Sequence, residues 1–375
     1  MTKASLSLCL IVRDGEQFLG RALDSVRPFV DEMVVVDTGS VDGSRDVAAA
    51  RGAKVFDCPW EDSFSAARNQ SLARATSDWI FWMDADDVLP ETSGAELRRA
   101  IESCPGAAAA FWVQVEESRL VAGKRRVTSH GHVKLFPRRD EIRFCYRVHE
   151  QVAPAILGLG LPIRPSRAVV RHASDRSAAA QTARRERNLR LAQLDLAEHP
   201  GDPFVLLSLG ITQLYRPGAL DEAITHLRQS AETAAPSSPT QVSAYLNWGQ
   251  ALALARRPAE EESLYRAALA IVPDDAALLL RLATFYEKRG NLREAAAALH
   301  RLLARGRQRA GTLQVRTSPV QIALRLGKLY VRLGERERAE RLWFAFLERQ
   351  PKATAIRQAL ARSYLNSSTI IVKPD

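Results

Sequence analysis

No apolar run in this 375-residue chain approaches the roughly 18 residues that a membrane-spanning helix needs, so no transmembrane segment is expected. The opening stretch MTKASLSLCLIVRDG has too short an apolar part for a secretory signal and lacks a small-residue cleavage site, and it reads as a first buried strand. Cysteine is scarce. Cys9, Cys58, Cys104 and Cys145 lie far apart without metal-ligand spacing, and three sit in apolar surroundings, which suits reduced thiols and a cytoplasmic location. No aromatic residues interleave with the basic ones, so nothing supports nucleic-acid binding.

What is present is ample for two or three domains with real cores: 46% hydrophobic and 26% charged residues. The net charge of +10 is unevenly spread. Residues 1–150 hold 20 Lys/Arg against 23 Asp/Glu, whereas residues 151–375 hold 33 against 20. A basic second half fits either an anionic partner or arginine-rich solvated helix faces.

The first half alternates strand and helix patterns. Leu6–Val12 is a continuous apolar run, as expected of a strand covered on both faces. Phe18, Leu19, Ala22, Leu23 and Val26 recur at helical spacing, and MVVVD (Met33–Asp37) ends in the turn TGSVDGS, which caps a helix over Arg45–Arg51. AKVFD, a helix over Ser63–Ala75, the strand WIFWMD, a helix capped by Thr92 or Ser93, and the strand AAFWVQVEE follow. Such alternation predicts a doubly wound α/β layer with a mostly parallel sheet. From Gly123 to His172 short strand-like pieces with Pro and basic residues predict an antiparallel addition carrying loops.

After His172 the pattern is helical and repetitive. Tyr245, Trp248, Gly249 and Leu252 lead to Tyr265, Ala268 and Pro273; Leu279, Leu282, Ala283 and Tyr286 lead to Gly290, Ala295 and Leu299. Ala323, Leu326, Gly327 and Tyr330 lead to Gly334, Ala339, Trp343 and Pro351, and a weaker unit surrounds Gly210. The small position recurs after 34 residues, from Gly249 to Ala283, and then after 44, from Ala283 to Gly327, with an insertion around RGRQRAGTLQ. These marker positions resemble tetratricopeptide repeats, in which a small residue lets paired helices approach and stacked units bury a shared core.

Asp37 closes one predicted strand and Asp84 another, 47 residues later. Ligands of open α/β sheets bind beyond the carboxyl ends of the strands, so both acids are expected to face one crevice. An Asp-x-Asp element such as Asp84–Asp86 can hold a divalent cation that grips a diphosphate, and Arg68 and Asn69 between the two clusters suit phosphate or nucleotide. Singly, these residues have plainer roles: Asp37 as a turn residue, Asp42 as a helix cap, Arg68 on a helix surface, and His130, His132 and His172 as satisfied polar residues.

The blocks LCLIVRDG, DEMVVVDTGSVDGS, PWEDSFSAARNQSL, DWIFWMDADD and YRVHEQV, in that order, resemble glycosyltransferase family 2 over about residues 5–175. They are similar to bacterial members in which a GT-A-type domain precedes tetratricopeptide repeats, peptide glycosyltransferases among them. The resemblance implies a GT-A (Rossmann-like) domain over 1–176, a connecting helix over 177–203, repeats over 204–366 and a tail over 367–375. It also implies that Asp37 contacts the nucleobase of a nucleotide sugar, most often uracil, and that Arg68 holds the nucleotide. Asp84 would meet the ribose or the metal, and Asp86 would ligate Mn2+ or Mg2+, with His172 as third ligand. Glu150 would be the general base for inversion, with His149 beside it. Ser44 and Asp87 replace the Thr and Glu common in relatives.

The implied function is an inverting, metal-dependent transfer from a UDP-sugar to an acceptor recruited by the repeats, a peptide or protein. The competing reading is a tetratricopeptide adaptor with an inactive α/β domain, against which the presence of Asp37, Asp84 and Asp86 together argues. A nucleotidyltransferase would need a Gly-rich phosphate loop after the first strand, and RDGEQF is not one.

Overall fold

A computed structural model describes residues 4–121, 124–172, 178–304 and 318–368. The chain forms two compact units, Met1–Glu198 and His199–Asp375. No helix among the described residues is long and apolar enough to cross a membrane.

The first unit is built on a sheet of strands β1 (Leu6–Val12), β2 (Glu32–Asp37), β3 (Lys54–Asp57), β4 (Trp79–Asp84), β5 (Asp87–Val88), β6 (Ala110–Val121), β7 (Lys124–Pro137) and β8 (Ile163–His172). Their order across the sheet is β3-β2-β1-β4-β7-β6-β8-β5. β7 is antiparallel to both β4 and β6, and β8 is parallel to β6, so β1–β4, β6 and β8 all run one way. Their carboxyl ends therefore share one edge.

Strand alternation builds a core on each face. On one side Leu6, Leu8 and Leu10 of β1 meet Leu19, Leu23 and Val26 of α1 (Glu16–Val26) and Leu97 and Ile101 of α4 (Glu91–Glu102). On the other, Cys9, Val34, Ile80 and Trp82 meet Leu72 of α3 (Phe64–Arg74) and Ile156 of α5 (Ala153–Gly158). The short α2 (Ser44–Ala49) follows the turn after β2, where Asp42 accepts from the backbone and hydroxyl of Ser44. The first unit ends in α6 (Ala178–Glu198).

Two expectations change. The helix expected to be capped by Thr92 or Ser93 starts earlier, at Glu91, with Pro90 at its N-cap and a carboxylate in its first turn. The Ser93 hydroxyl instead accepts from Val169 N, tying α4 to β8. Of the short antiparallel pieces expected after Gly123, the first is one long strand, β7, paired antiparallel with β6 from Trp112↔Val133 to Val121↔Lys124, whereas β8 runs parallel to β6. The polar and basic residues of β7 hid a strand alternation.

The second unit contains helix pairs. They are α7 (Pro203–Gln213) with α8 (Leu220–Thr233), α9 (Pro239–Leu254) with α10 (Pro258–Ile271), α11 (Ala276–Lys288) with α12 (Leu292–Ala304), and α13 (Pro319–Arg332) with α14 (Arg336–Arg349); α15 (Thr354–Ser368) follows. The insertion around RGRQRAGTLQ lies outside the described residues. One continuous core runs through the pairs. Its closest approaches occur where the repeat pattern places glycine: a Cβ on Gly249 would sit 2.3 Å from the Tyr265 hydroxyl, and one on Gly327 2.2 Å from the Trp343 indole nitrogen. The turns between helices of a pair use Gly290 and Gly334 at φ of 79° and 80°, a left-handed conformation that glycine adopts freely.

Gly327→Ala is therefore expected to destabilise the second unit by about 1–3 kcal/mol, the usual cost of overpacking. Gly158→Ala, where a Cβ meets open space, is expected to change stability by less than about 0.5 kcal/mol. Urea unfolding of both variants checks the pair.

Candidate active site

The acidic run at the end of β4 is tolerated because Arg68, Lys134 and His172, from a helix and two other strands, surround its carboxylates. Asp84 closes β4, and Asp87 opens β5, which pairs with β8 so that Asp87 faces His172 and Val88 faces Arg171. The two residues between them carry the chain from the middle of the sheet to its far margin. Asp87 is fully buried. Its Oδ1 lies 2.9 Å from His172 Nδ1, while its Oδ2 accepts from Asp84 N and from Lys134 Nζ, both at 3.1 Å. Lys134, on β7, is 1% exposed and holds its ammonium 3.7 Å from the centre of the Trp82 ring. It also stands 3.7 Å from Asp84 Oδ2.

These neighbours set the charges. Burial works against the Asp84 carboxylate, but Lys134 and Arg68 hold its pKa well below the ordinary range. Asp86 is pushed up by burial; His172 pulls the other way, and Asp84 and Asp87 push up again. Burial opposes charge on His172 too, yet the hydrogen bond with Asp87 and the fields of Asp86 and Asp84 raise its pKa. His130 and His132, on β7, have ring centres 5.0 Å apart; burial pushes His132 down to about 3, so it is neutral.

Asp84, Asp87 and His172 each offer a ligand atom, and these atoms lie within 4.8 Å of one another. Two carboxylates and an imidazole suit a divalent ion such as Mn2+ or Mg2+. The residues present fit such an ion. Asp86, expected as the ligand, sits 3.4 Å from His172 Nδ1 at the margin of this group, whereas Asp87 lies inside it.

Arg68 projects from α3, a helix started by the Ser63 side chain accepting from Ala66 N. Arg68 is 5% exposed, and its guanidinium carbon stands 4.1 Å from the centre of the Trp82 ring. Nε donates to Glu150 Oε1 and Nη2 to Asp84 Oδ1, each at 2.5 Å. Burial disfavours the charge, but Glu150 and Asp84 more than offset it and the pKa rises. Arg68 thus spends two donors on carboxylates, one at the end of β4 and one in the segment carrying Glu150. His149, next to Glu150, is exposed with φ of 55°.

Two expected residues have other surroundings. The Asn69 carboxamide donates to Phe144 O at 2.9 Å and accepts from Phe144 N at 2.8 Å, which ties α3 to that segment. Asp37 is fully buried and receives Gly39 N, Ser40 N and Arg45 Nη2 on Oδ1, while its Oδ2 has no partner. Burial opposes its ionisation, and the bonds from Ser40, Gly39 and Arg45 bring the pKa down nonetheless. Asp37 pairs with Val12 and Asp84 with Ile11, adjacent residues of β1 that point to opposite faces. The two acids thus lie at the same carboxyl edge, at adjacent register positions of β1.

Residues 7–150 match the family model described as glycosyl transferase family 2, and residues 252–317 match a tetratricopeptide repeat model. A TPR repeat-containing protein of Synechococcus elongatus is 36% identical over 240 residues, 62% of this chain and 58% of that protein. The SPbeta prophage-derived glycosyltransferase SunS of Bacillus subtilis is 25% identical over 229 residues, 59% of this chain and 52% of that protein. The chain thus spans little more than half the length of these curated relatives. Among solved structures, glucosyl-3-phosphoglycerate synthase from Mycobacterium tuberculosis, in complex with Mn2+, UDP and glucosyl-3-phosphoglycerate, aligns over 52% of this chain and 79% of its own at 19% identity and a TM-score of 0.36. Residues 7–150 thus carry a domain that matches glycosyl transferase family 2, and residues 252–317 carry tetratricopeptide repeat sequence.

Proposed function

We propose that this protein is an inverting, metal-dependent glycosyltransferase that moves a sugar from a UDP donor to a peptide or protein acceptor. The observation that carries this reading is the Arg68 fork, which joins Asp84, beside Asp87 and His172, to Glu150. In this reading donor chemistry resides in residues 1–176 and acceptor recruitment in residues 204–366. Asp37, with a buried oxygen lacking a partner, is matched to an N–H donor such as that of uracil.

Asp84, Asp87 and His172, with Asp86 at their margin, would hold the metal ion, which supplies Lewis-acid stabilisation of the departing diphosphate. Glu150 takes the proton of the acceptor's nucleophilic group as that atom bonds to the anomeric carbon. The bond from that carbon to the diphosphate breaks with its electron pair on the leaving oxygen. Arg68 holds Glu150 and Asp84 at fixed separation throughout, and His149, beside Glu150, is the second candidate for the base.

A groove of about 680 Å³ in the second unit supports the acceptor class. Arg256, Arg257, Arg281, Lys288 and Arg289 line it, with Glu261 as the single acid, so an acidic peptide is the matching occupant. Arg281→Glu with Lys288→Glu is expected to abolish binding of an oligoglutamate peptide by fluorescence anisotropy; unchanged affinity would place the acceptor elsewhere.

Three further outcomes are expected. UDP binding measured by calorimetry collapses on chelation or in Asp87→Ala, and equal affinity with and without Mn2+ would contradict a metal-held diphosphate. Glu150→Gln keeps UDP affinity but loses roughly 10²–10⁴-fold in turnover, the usual cost of removing a positioned base. An adaptor would show no turnover in the unmodified protein. The raised pKa of His172 means that the proton favoured by its acidic neighbours must leave before the imidazole can ligate. Mn2+ affinity is accordingly expected to rise from pH 6 to pH 8, and an affinity independent of pH would remove His172 from the ligand set.

A further inference from the structure

Glu150 sits in a small closed loop. Cys145 N donates to Gln151 O at 2.9 Å and Gln151 N to Cys145 O at 3.1 Å, so residues 146–150 form the tip of an antiparallel bridge. Inside it, Tyr146 and His149 hold φ of 69° and 55°, left-handed values that cost a non-glycine residue about 1–3 kcal/mol each. Such a conformation persists only where its surroundings over-determine it. Arg68 grips Glu150 at one end, and Arg147 O accepts from Phe64 N at the start of α3.

The remaining anchor comes from α6, beyond the sheet. Asp195 is 3% exposed, and both of its oxygens lie 2.9 Å from Arg147 N. The next amide, Val148 N, lies close enough to favour the charge on this carboxylate. The Arg147 side chain then binds Glu198, one helical turn further on, and the carbonyls of Glu61 and Asp62. α6 is itself fastened by a two-pronged Arg190–Asp62 pair at 2.6 and 2.7 Å and by Arg187 lying 4.8 Å above the Phe64 ring.

We propose that Asp195 is a positioning residue for glycosyl transfer, fixing from α6 the strained loop that presents Glu150 to Arg68 and to the acceptor. The inference rests on Glu150 being the base. Asp195 touches no reacting atom; it acts by orienting the peptide planes two and three residues before Glu150. A buried carboxylate holds Arg147 N with both oxygens, whereas an asparagine offers one oxygen and turns an N–H donor toward that amide. The loop then relaxes from its left-handed conformation and Glu150 shifts, and a displacement of 1 Å in a reacting group costs on the order of 100-fold.

The test is a double-mutant cycle on the full chain, read as UDP release from UDP-glucose or UDP-N-acetylglucosamine, whichever turns over faster, with Mn2+ present. Asp195→Asn is expected to lower kcat by roughly 10- to 100-fold while the donor KM and UDP affinity stay within about twofold. In a Glu150→Gln background the same change is expected to do nothing more, because there is no base left to misplace. Glu198→Ala removes only the exposed end of the clamp and leaves the buried Asp195 contact in place; it is expected to show a few-fold fall in kcat with the same dependence on Glu150. Wild-type kcat in both folded variants would overturn the inference, as would an equal further loss in the Glu150→Gln background, the mark of a merely structural role. Wild-type turnover in Glu150→Gln alone would instead overturn the base assignment itself, and this inference with it.

Discussion

A single buried guanidinium holds the first unit's polar edge together. Arg68 lies on Trp82 with Asp84 on one side and Glu150 on the other. Desolvating three charges is costly, and the arrangement persists because the fork satisfies both carboxylates with good geometry while the indole face receives the cation. Removing one partner of a buried ion pair costs roughly 3–5 kcal/mol, and here that cost applies to Arg68 and Glu150, since the Asp84 side chain stays 37% exposed. The position of the proposed base is thereby linked to the position of the acid that ends β4.

The rest of the edge follows from strand direction. β4 and β8 run the same way, so Asp84 and His172 emerge at one rim, and β5 spans the gap between them. Lys134 on the antiparallel β7 fills the interior with a second fixed cation, next to the buried Asp87. Negative charge is thus concentrated without an unfolded loop, each acid being balanced by a group from a different strand or helix. This preorganisation costs nothing at the moment of reaction, which is where electrostatic stabilisation is most effective.

Much of this was legible in the sequence. The apolar runs ending in Asp37 and Asp84, and the helical glycines at tetratricopeptide spacing, declare themselves because burial and close packing constrain residue type strongly. Asp87 was named only as a replacement for a Glu common in relatives and not as a ligand, because a two-residue strand has no periodicity and a third acid beside two others reads as more of the same. Lys134 was hidden for a related reason: in HVKLF a lysine reads as the solvent-facing member of an alternating strand. Asp195 lies in a helix rich in Arg and Glu, where a charge is expected to be solvated. One signal pointed to it: Leu191 and Asp195 are four residues apart and share the buried face of α6. The long β6–β7 ribbon escaped notice because its polar and basic residues break the apolar pattern.

The linkage through Arg68 is tested most directly by Arg68→Lys, which keeps the charge but replaces the two-pronged fork with a single ammonium. UDP affinity in the presence of Mn2+ and kcat for UDP release are measured together on the folded variant. A fall in both is expected, with kcat reduced by tenfold or more, in contrast to Glu150→Gln, where kcat alone falls. Wild-type affinity together with wild-type kcat would contradict the claim that one guanidinium sets the donor side and the base side of the reaction.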